Sequence, residues 1–285
     1  MTIRGSCLCG DLAWEAEGPL QLEHHCHCSR CRKAHGTPFA TFGGVPAQGF
    51  RWLRGADGIR RYESSPDNRR PFCGRCGSSV PGEPSDGRVG MPLGGLDGDP
   101  PVRVLAHIFA ASKAPWYEIS DELPCFDAYP PGFDLPVLAE PERPAPATGR
   151  IGGSCLCGGV AFEVERPFRI MRSCHCQRCR KARSAAHATN LLTDPHRFGW
   201  TRGAELVDSY KVPEAERFTQ SFCRTCGSPM PRVFEARGYV VVPAGSLDGD
   251  PGTRVQEHIF VGSKAPWFEI RDGVAQYDES PPDAG

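Results

Sequence analysis

The stretch Cys26–Ala34 reads CHCSRCRKA, and 148 residues further on, at Cys174–Ala182, the chain reads CHCQRCRKA. Other blocks fall into register around this pair. GSCLCG at Gly5–Gly10 returns at Gly153–Gly158 with the same displacement, and FCGRCGS at Phe72–Ser78 returns as FCRTCGS at Phe222–Ser228, 150 residues on. LDGDP at Leu96–Pro100 returns at Leu247–Pro251, 151 residues on, and HIFAASKAPW at His107–Trp116 returns as HIFVGSKAPW at His258–Trp267. The displacement drifts by only three residues over the whole unit, so the chain holds two copies of one domain that share a core and differ in loops. A length of 285 residues suits two domains of ordinary size. The expected division is residues 1–135 for the first copy, 136–150 for a linker and 151–285 for the second. The linker, PVLAEPERPAPATGR, is rich in Pro and Ala without apolar periodicity, the composition of a semi-rigid spacer.

Within each copy the apolar segments are short and often alternate: LAWEA and VAFEV, IRRYES and LVDSYKV, YVVVPAG. Alternation of this kind predicts strands. Gly and Pro, 33 and 28 of them, interrupt the chain too often for long amphipathic helices, leaving room for about one turn at SRCRKA and QRCRKA. The predicted class is all-β. Lys plus Arg number 33 against 34 Asp plus Glu, a net charge of −1 that steers the protein towards neither nucleic acid nor an anionic membrane surface. The opening MTIRGSCLCG lacks the basic flank and apolar run of a signal peptide, and no stretch reaches the length of a membrane span. These features predict a cytoplasmic protein whose partner is a small molecule.

The fifteen cysteines sit in close pairs and triplets, which favours metal thiolates over a disulfide scaffold. Each copy supplies seven: Cys7, Cys9, Cys26, Cys28, Cys31, Cys73 and Cys76, then Cys155, Cys157, Cys174, Cys176, Cys179, Cys223 and Cys226. Cys125 alone has no counterpart. A closed structural zinc takes four ligands, so seven divides into four plus three. Cys7/Cys9 with Cys73/Cys76 can close one site, leaving Cys26, Cys28 and Cys31 as a three-thiolate site with an open fourth position, the mark of a catalytic zinc. Spacing alone also permits Cys73/Cys76 to join two cysteines of the triplet. It also permits a wholly architectural reading, with His25 or His107 closing the second site.

The blocks G-S-C-x-C-G, C-H-C-x-x-C-R-K, F-C-x-x-C-G-S, L-D-x-D-P and H-I-F-x-x-S-K-A-P-W, in that order and twice over, resemble the glutathione-dependent formaldehyde-activating enzymes, a family that includes centromere protein V. The resemblance covers nearly all of each copy. It implies a β-tent fold of several small sheets and up to four zinc ions per chain. It assigns structural zinc to Cys7, Cys9, Cys73 and Cys76 and to Cys155, Cys157, Cys223 and Cys226. Reactive zinc goes to Cys26, Cys28 and Cys31 and to Cys174, Cys176 and Cys179. The implied activity is that of a zinc-dependent carbon–sulfur lyase acting on a glutathione–aldehyde adduct, of the S-hydroxymethylglutathione synthase type, or on a related small electrophile. Glutathione is then a co-substrate. Two other readings stand beside it: a zinc hydrolase acting on an imine-like substrate, and a non-catalytic zinc-binding scaffold. Three thiolates on Zn²⁺ make a centre of net charge −1, a weak Lewis acid that suits a soft fourth ligand such as a thiol.

Other repeated residues carry further expectations. His27 and His175, between two ligands in C-H-C, point away from the metal. Asp97/Asp248 and Asp99/Asp250 read as Asx turns, and His107/His258 and Trp116/Trp267 as core. Arg69, Arg70, Lys113 and Lys264, with Arg32, Lys33, Arg180 and Lys181 beside the triplets, are candidates for binding the carboxylates of glutathione. The copies also differ. Arg69 and Arg70 face Thr219 and Gln220 in the alignment, and Gly36, Thr37, Pro38, Phe39 and Phe42 face Ser184, Ala185, Ala186, His187 and Asn190. The expectation is that copy one keeps charge for an anionic ligand, whereas copy two gains His187 as a general base with Asn190 to orient it.

Overall fold

A computed structural model of the chain describes residues 2–66, 68–98, 100–133, 135–139 and 149–281; Asp99 and residues 140–148 of the linker lie outside them. The described chain is mainly β, as the alternating pattern predicts. It contains two α-helices, Ser29–His35 (α1) and Gln177–Arg183 (α2), beside many short strands. Among the described residues no helix is long and apolar enough to cross a membrane.

Each copy repeats one set of small sheets. Copy one opens with a three-stranded sheet, Thr2–Ser6, Ala13–Glu17 and Phe50–Arg54, and copy two with Arg150–Ser154, Ala161–Glu165 and Phe198–Arg202. A two-stranded hairpin follows in each, Ile59–Ser65 with Asn68–Cys73 and Val207–Lys211 with Thr219–Cys223. The sheet that positions the site centres on Gln21–Cys26, flanked by antiparallel Ala40–Pro46 and parallel Ala106–Ile108. Its counterpart centres on Ile170–Cys174, flanked by Ala188–Thr193 and Glu257–Ile259.

Register fixes what each face carries, because side chains alternate along a strand and directly paired residues share a face. Cys26 pairs with Ala40 and Ile108, and Cys174 with Ala188 and Ile259, so these positions form a thiolate face. His25 pairs with Thr41 and His107, and Ser173 with Thr189 and His258, forming a histidine face on the other side.

The two copies interlock by reciprocal contacts. The α1 residue Lys33 is buried, and its Nζ donates to Ser154 O (2.9 Å), Ser154 Oγ (3.1 Å) and Ser246 O (3.1 Å) of copy two, with Asp248 Oδ1 at 2.5 Å. The α2 residue Lys181 repeats this towards Ser6 Oγ (2.7 Å), Ser6 O (3.2 Å) and Asp97 Oδ1 (2.5 Å) of copy one. Three donors on an ammonium group meet this many acceptors, which is what permits its burial. Close backbone approach at the same seam requires Gly94 and Gly245: a Cβ would overlap the backbone of Ala185 in one case and of Thr37 and Arg32 in the other. Apolar residues cross as well. Trp116 joins a core with Ile151, Phe162 and Leu247, while Tyr210 and Val212 pack with Cys7 and Trp14. A tryptophan only 2% exposed contributes on the order of 3 kcal/mol to that seam.

The two ammonium sites differ most in the exposure of the carboxylate: 10% for Asp248 and 42% for Asp97. Removing a carboxylate strands a buried ammonium only where water cannot replace it. Asp248→Asn is therefore expected to cost about 3 kcal/mol, and Asp97→Asn under about 1 kcal/mol, read by denaturant titration. Equal losses would show that burial does not separate the two sites.

Candidate metal centres

Cys7 and Cys9 lie in the turn after Thr2–Ser6, and Cys73 and Cys76 at the end of the hairpin Asn68–Cys73; the structure brings their four sulfurs within 4.8 Å of one another. Cys155, Cys157, Cys223 and Cys226 do the same in copy two. The sulfurs of Cys7 and Cys9 are 3.4 Å apart and those of Cys9 and Cys73 3.7 Å, against 3.3 and 3.8 Å for the matching pairs in copy two. A tetrahedral metal–thiolate centre with bonds of about 2.3 Å has edges of about 3.8 Å, so both clusters have the size of a four-thiolate cage. Leu12 N donates to Cys7 Sγ (3.3 Å) and Val160 N to Cys155 Sγ (3.2 Å), bonds that favour charged sulfur. Hydrogen bonding among the crowded sulfurs, then burial, pushes the thiols of Cys7 and Cys9 up, while Cys73 and Cys76 are pushed down by the same neighbours. Four sulfurs this close cannot all ionise without a cation among them.

The remaining cysteines form two triplets, Cys26, Cys28 and Cys31, and Cys174, Cys176 and Cys179; among the described residues no fourth His, Cys, Asp or Glu joins either. The leading sulfurs are 3.6 Å apart in both copies. Helix geometry sets the third ligand. Cys28 is the N-cap of α1, its Sγ accepting from Cys31 N at 3.4 Å, and Cys176 caps α2 through Cys179 N at 3.4 Å. Cap and third helical residue thus turn two sulfurs towards the strand-borne Cys26 or Cys174. Loss of a four-thiolate ligand opens a cage that ties residue 7 to residue 76, whereas Cys28→Ser keeps a good N-cap. Cys76→Ser is expected to lower Tm by more than about 10 °C and Cys28→Ser by less than about 3 °C, measured on metal-replete protein. Equal losses would contradict the division into cage and triplet.

Each triplet contributes to the wall of a cavity. In copy one, a cavity of about 490 Å³ is lined by Cys26, Cys28 and Cys31 with Phe42, Ile108, Phe109 and Tyr129, and linker residues Pro136–Ala139 also line it. Arg70 Nη2 donates to Cys31 Sγ at 3.6 Å. Alternation sends its neighbour Arg69 outward, 3.8 Å from Glu83. In copy two, a cavity of about 670 Å³ is lined by Cys174 and Cys179, with Gln220 where copy one has Arg70. Charge enters from elsewhere: Arg183 at the end of α2, donating to Asn190 Oδ1 (3.2 Å), and Arg232, whose guanidinium lies 4.3 Å from the centre of the Phe234 ring. Burial, partly offset by the Cys179 thiolate, lowers both arginines to about 10, so both remain charged at neutral pH. The positive charge lost at Gln220 is thus replaced from α2 and from the strand Arg232–Phe234.

His187 lies on the histidine face, one residue out of phase with Ala188 and Asn190, which line the cavity. Buried there, it shares a hydrogen bond with Thr189 Oγ1 (3.1 Å) and packs against His175 and Phe268; burial holds its pKa well below the usual value. His27 and His175 also point to this face. His107 Nε2 donates to Asp121 (2.9 Å) and its Nδ1 accepts from His27 Nε2 (2.8 Å); His258 links Asp272 to His175 in the same way. Lys113 and Lys264 are not among the residues lining either cavity; Lys113 Nζ donates to Tyr117 O at 3.3 Å. Lys33 and Lys181 belong to the seam between copies. Cys125 is exposed and donates to Leu123 O at 3.5 Å, apart from every cluster.

Arg183, Arg232, Tyr129 and the two aspartates Asp121 and Asp272 are absent from the motif reading. One signal was present: at the displacement of 148, Arg183 stands opposite His35, a change of side chain within an otherwise repeated helix.

The family model described as "Glutathione-dependent formaldehyde-activating enzyme" matches residues 2–112 and again 150–263. No curated protein matches the chain. A solved Rhodobacter sphaeroides protein is similar at 24% identity, over 44% of this chain and 98% of that one, with a TM-score of 0.29.

Proposed function

Because the chain belongs to the glutathione-dependent formaldehyde-activating enzyme family, we propose that it is a zinc enzyme that makes and breaks the carbon–sulfur bond between a thiol and a small aldehyde. The observation that carries this reading is that cavity walls hold all three sulfurs of the copy-one triplet and two, Cys174 and Cys179, of the copy-two triplet. A bare scaffold has no need of those cavities. Soft, tetrahedrally spaced sulfurs suit zinc, and on this reading the cages hold two structural ions and the triplets two reactive ones. Zinc held by three thiolates supplies a Lewis acid that lowers the pKa of a thiol brought to its open side.

The chain's own residues do the rest. Cys28 and Cys176, as helix caps, fix two of the three sulfurs in each triplet, and Arg70 donates to Cys31 and offsets its charge in copy one. The cavity walls hold the aldehyde beside the incoming sulfur. The addition balances without a further reactant: the sulfur–carbon bond forms, the carbonyl π pair moves to oxygen, and the thiol proton ends on the new hydroxyl. Reversal releases thiol and aldehyde.

The test is exchange NMR of glutathione, formaldehyde and S-hydroxymethylglutathione at equilibrium. Zinc-loaded protein is expected to raise the exchange rate at least about tenfold. The gain should vanish on chelation and in a Cys28→Ser, Cys176→Ser double variant that stays folded. Exchange no faster with protein than without it would remove the reading.

A further inference from the structure

The two cavities share a metal-ligand set and differ in charge. Among the described residues, six arginines and no acidic residue line the copy-two cavity. Four of them have carboxylate partners: Arg169 with Asp194, Arg172 with Glu257 (3.0 Å), and Arg217 and Arg237 with Glu216 (3.2 and 3.9 Å). Arg183 and Arg232 have none among the described residues. Arg183 is 7% exposed, and its Nη1, like Arg232 Nε, is a buried donor without a hydrogen-bond partner. Two guanidinium groups that repel each other, one buried and one half-buried and neither with a carboxylate partner among the described residues, are costly unless an anion completes the site. Copy one offers nothing comparable. There Arg70 is engaged by Cys31, Arg30 Nη2 donates to Ala139 O (3.0 Å), and the walls are Phe42, Ile108 and Phe109.

We infer that the two cavities are specialised, and that the copy-two cavity takes a thiol carrying two or more carboxylates, held by Arg183 and Arg232, whereas the copy-one cavity takes a small, uncharged one. This rests on the reading of both triplets as thiol sites and adds the substrate class of each. A three-thiolate zinc is itself net negative, so an anionic thiol is repelled unless cations stand beside it. Copy two supplies two such cations against the one that copy one spends on its own sulfur. The rim arginines Arg169, Arg217 and Arg237, 38–66% exposed, add steering that salt will screen.

The experiment uses full-length protein loaded with Co²⁺, titrated with glutathione, its diethyl ester and 2-mercaptoethanol. Calorimetry reads affinity, and the sulfur-to-cobalt absorption band reads thiol entry. Glutathione is expected to show one tight site per chain, with the diester at least about tenfold weaker there. That site should disappear in Cys176→Ser and persist in Cys28→Ser. Arg183→Gln with Arg232→Gln should weaken glutathione about tenfold or more and the diester less than about threefold. Should that pair fail to fold, the ester comparison and the two cysteine variants decide by themselves. Equal affinity for glutathione and its diester, or a tight site lost in Cys28→Ser instead, would overturn the specialisation while leaving thiol binding intact. If no thiol changes the cobalt band in any form of the protein, the proposed function fails and the inference with it.

Discussion

A seven-residue helix has too few hydrogen bonds to stand alone, so α1 and α2 persist only because both ends are held. At the start, a thiolate of the triplet is the N-cap. Further along, a buried lysine reaches into the other copy, and where the helices end His35 Nδ1 donates to Arg183 O at 2.7 Å. The geometry of each triplet therefore depends on contacts with the opposite copy. Tandem fusion makes those contacts intramolecular, at an effective concentration no separate pair of domains would match. It also frees the two halves to diverge, since neither must be self-complementary.

Divergence has touched both faces, since on the histidine face His25 stands opposite Ser173 and Phe39 opposite His187, but it has spared one hydrogen-bonded chain. Both copies retain the Asp–His–His chain, Asp121–His107–His27 and Asp272–His258–His175, with the Nδ1 of His27 and His175 buried and without a partner. Burial drives both of these histidines down to about 3, so they are neutral, and the hydrogen bonds then fix their tautomers. On the other face Phe42 stands opposite Asn190, Arg70 opposite Gln220 and Tyr129 opposite Ser280, which exchanges large side chains and one cation for smaller polar ones, while the cations of copy two come from Arg183 and Arg232.

The repeat, the mainly β class and the grouping of cysteines were legible because each leaves a local mark: a duplicated string, a period of two, or a short spacing between ligands. Side-chain direction was legible only once register was known. His187 reads as a base beside the triplet in sequence, yet a single step along Ala188–Thr193 separates the cavity from the buried face. Arg69 and Arg70 likewise read as a pair and point to opposite sides. Lys33 and Asp248 are 215 residues apart and carry no shared pattern, so their ion pair is a property of the assembled copies alone. Arg232 enters the second cavity on a strand, Arg232–Phe234, where the first copy has Gly82, Glu83 and Pro84, and no motif marks it.

The central claim is a chain with two closed four-thiolate centres and two open three-thiolate ones. Zinc-edge X-ray absorption on fully loaded protein tests it most directly, because it counts ligands without requiring a substrate. The account predicts about 3.5 sulfurs per zinc at about 2.3 Å, with about half an oxygen or nitrogen neighbour per zinc, at four zinc ions per chain, one for each cluster. Two zinc ions per chain with four sulfurs each would contradict it.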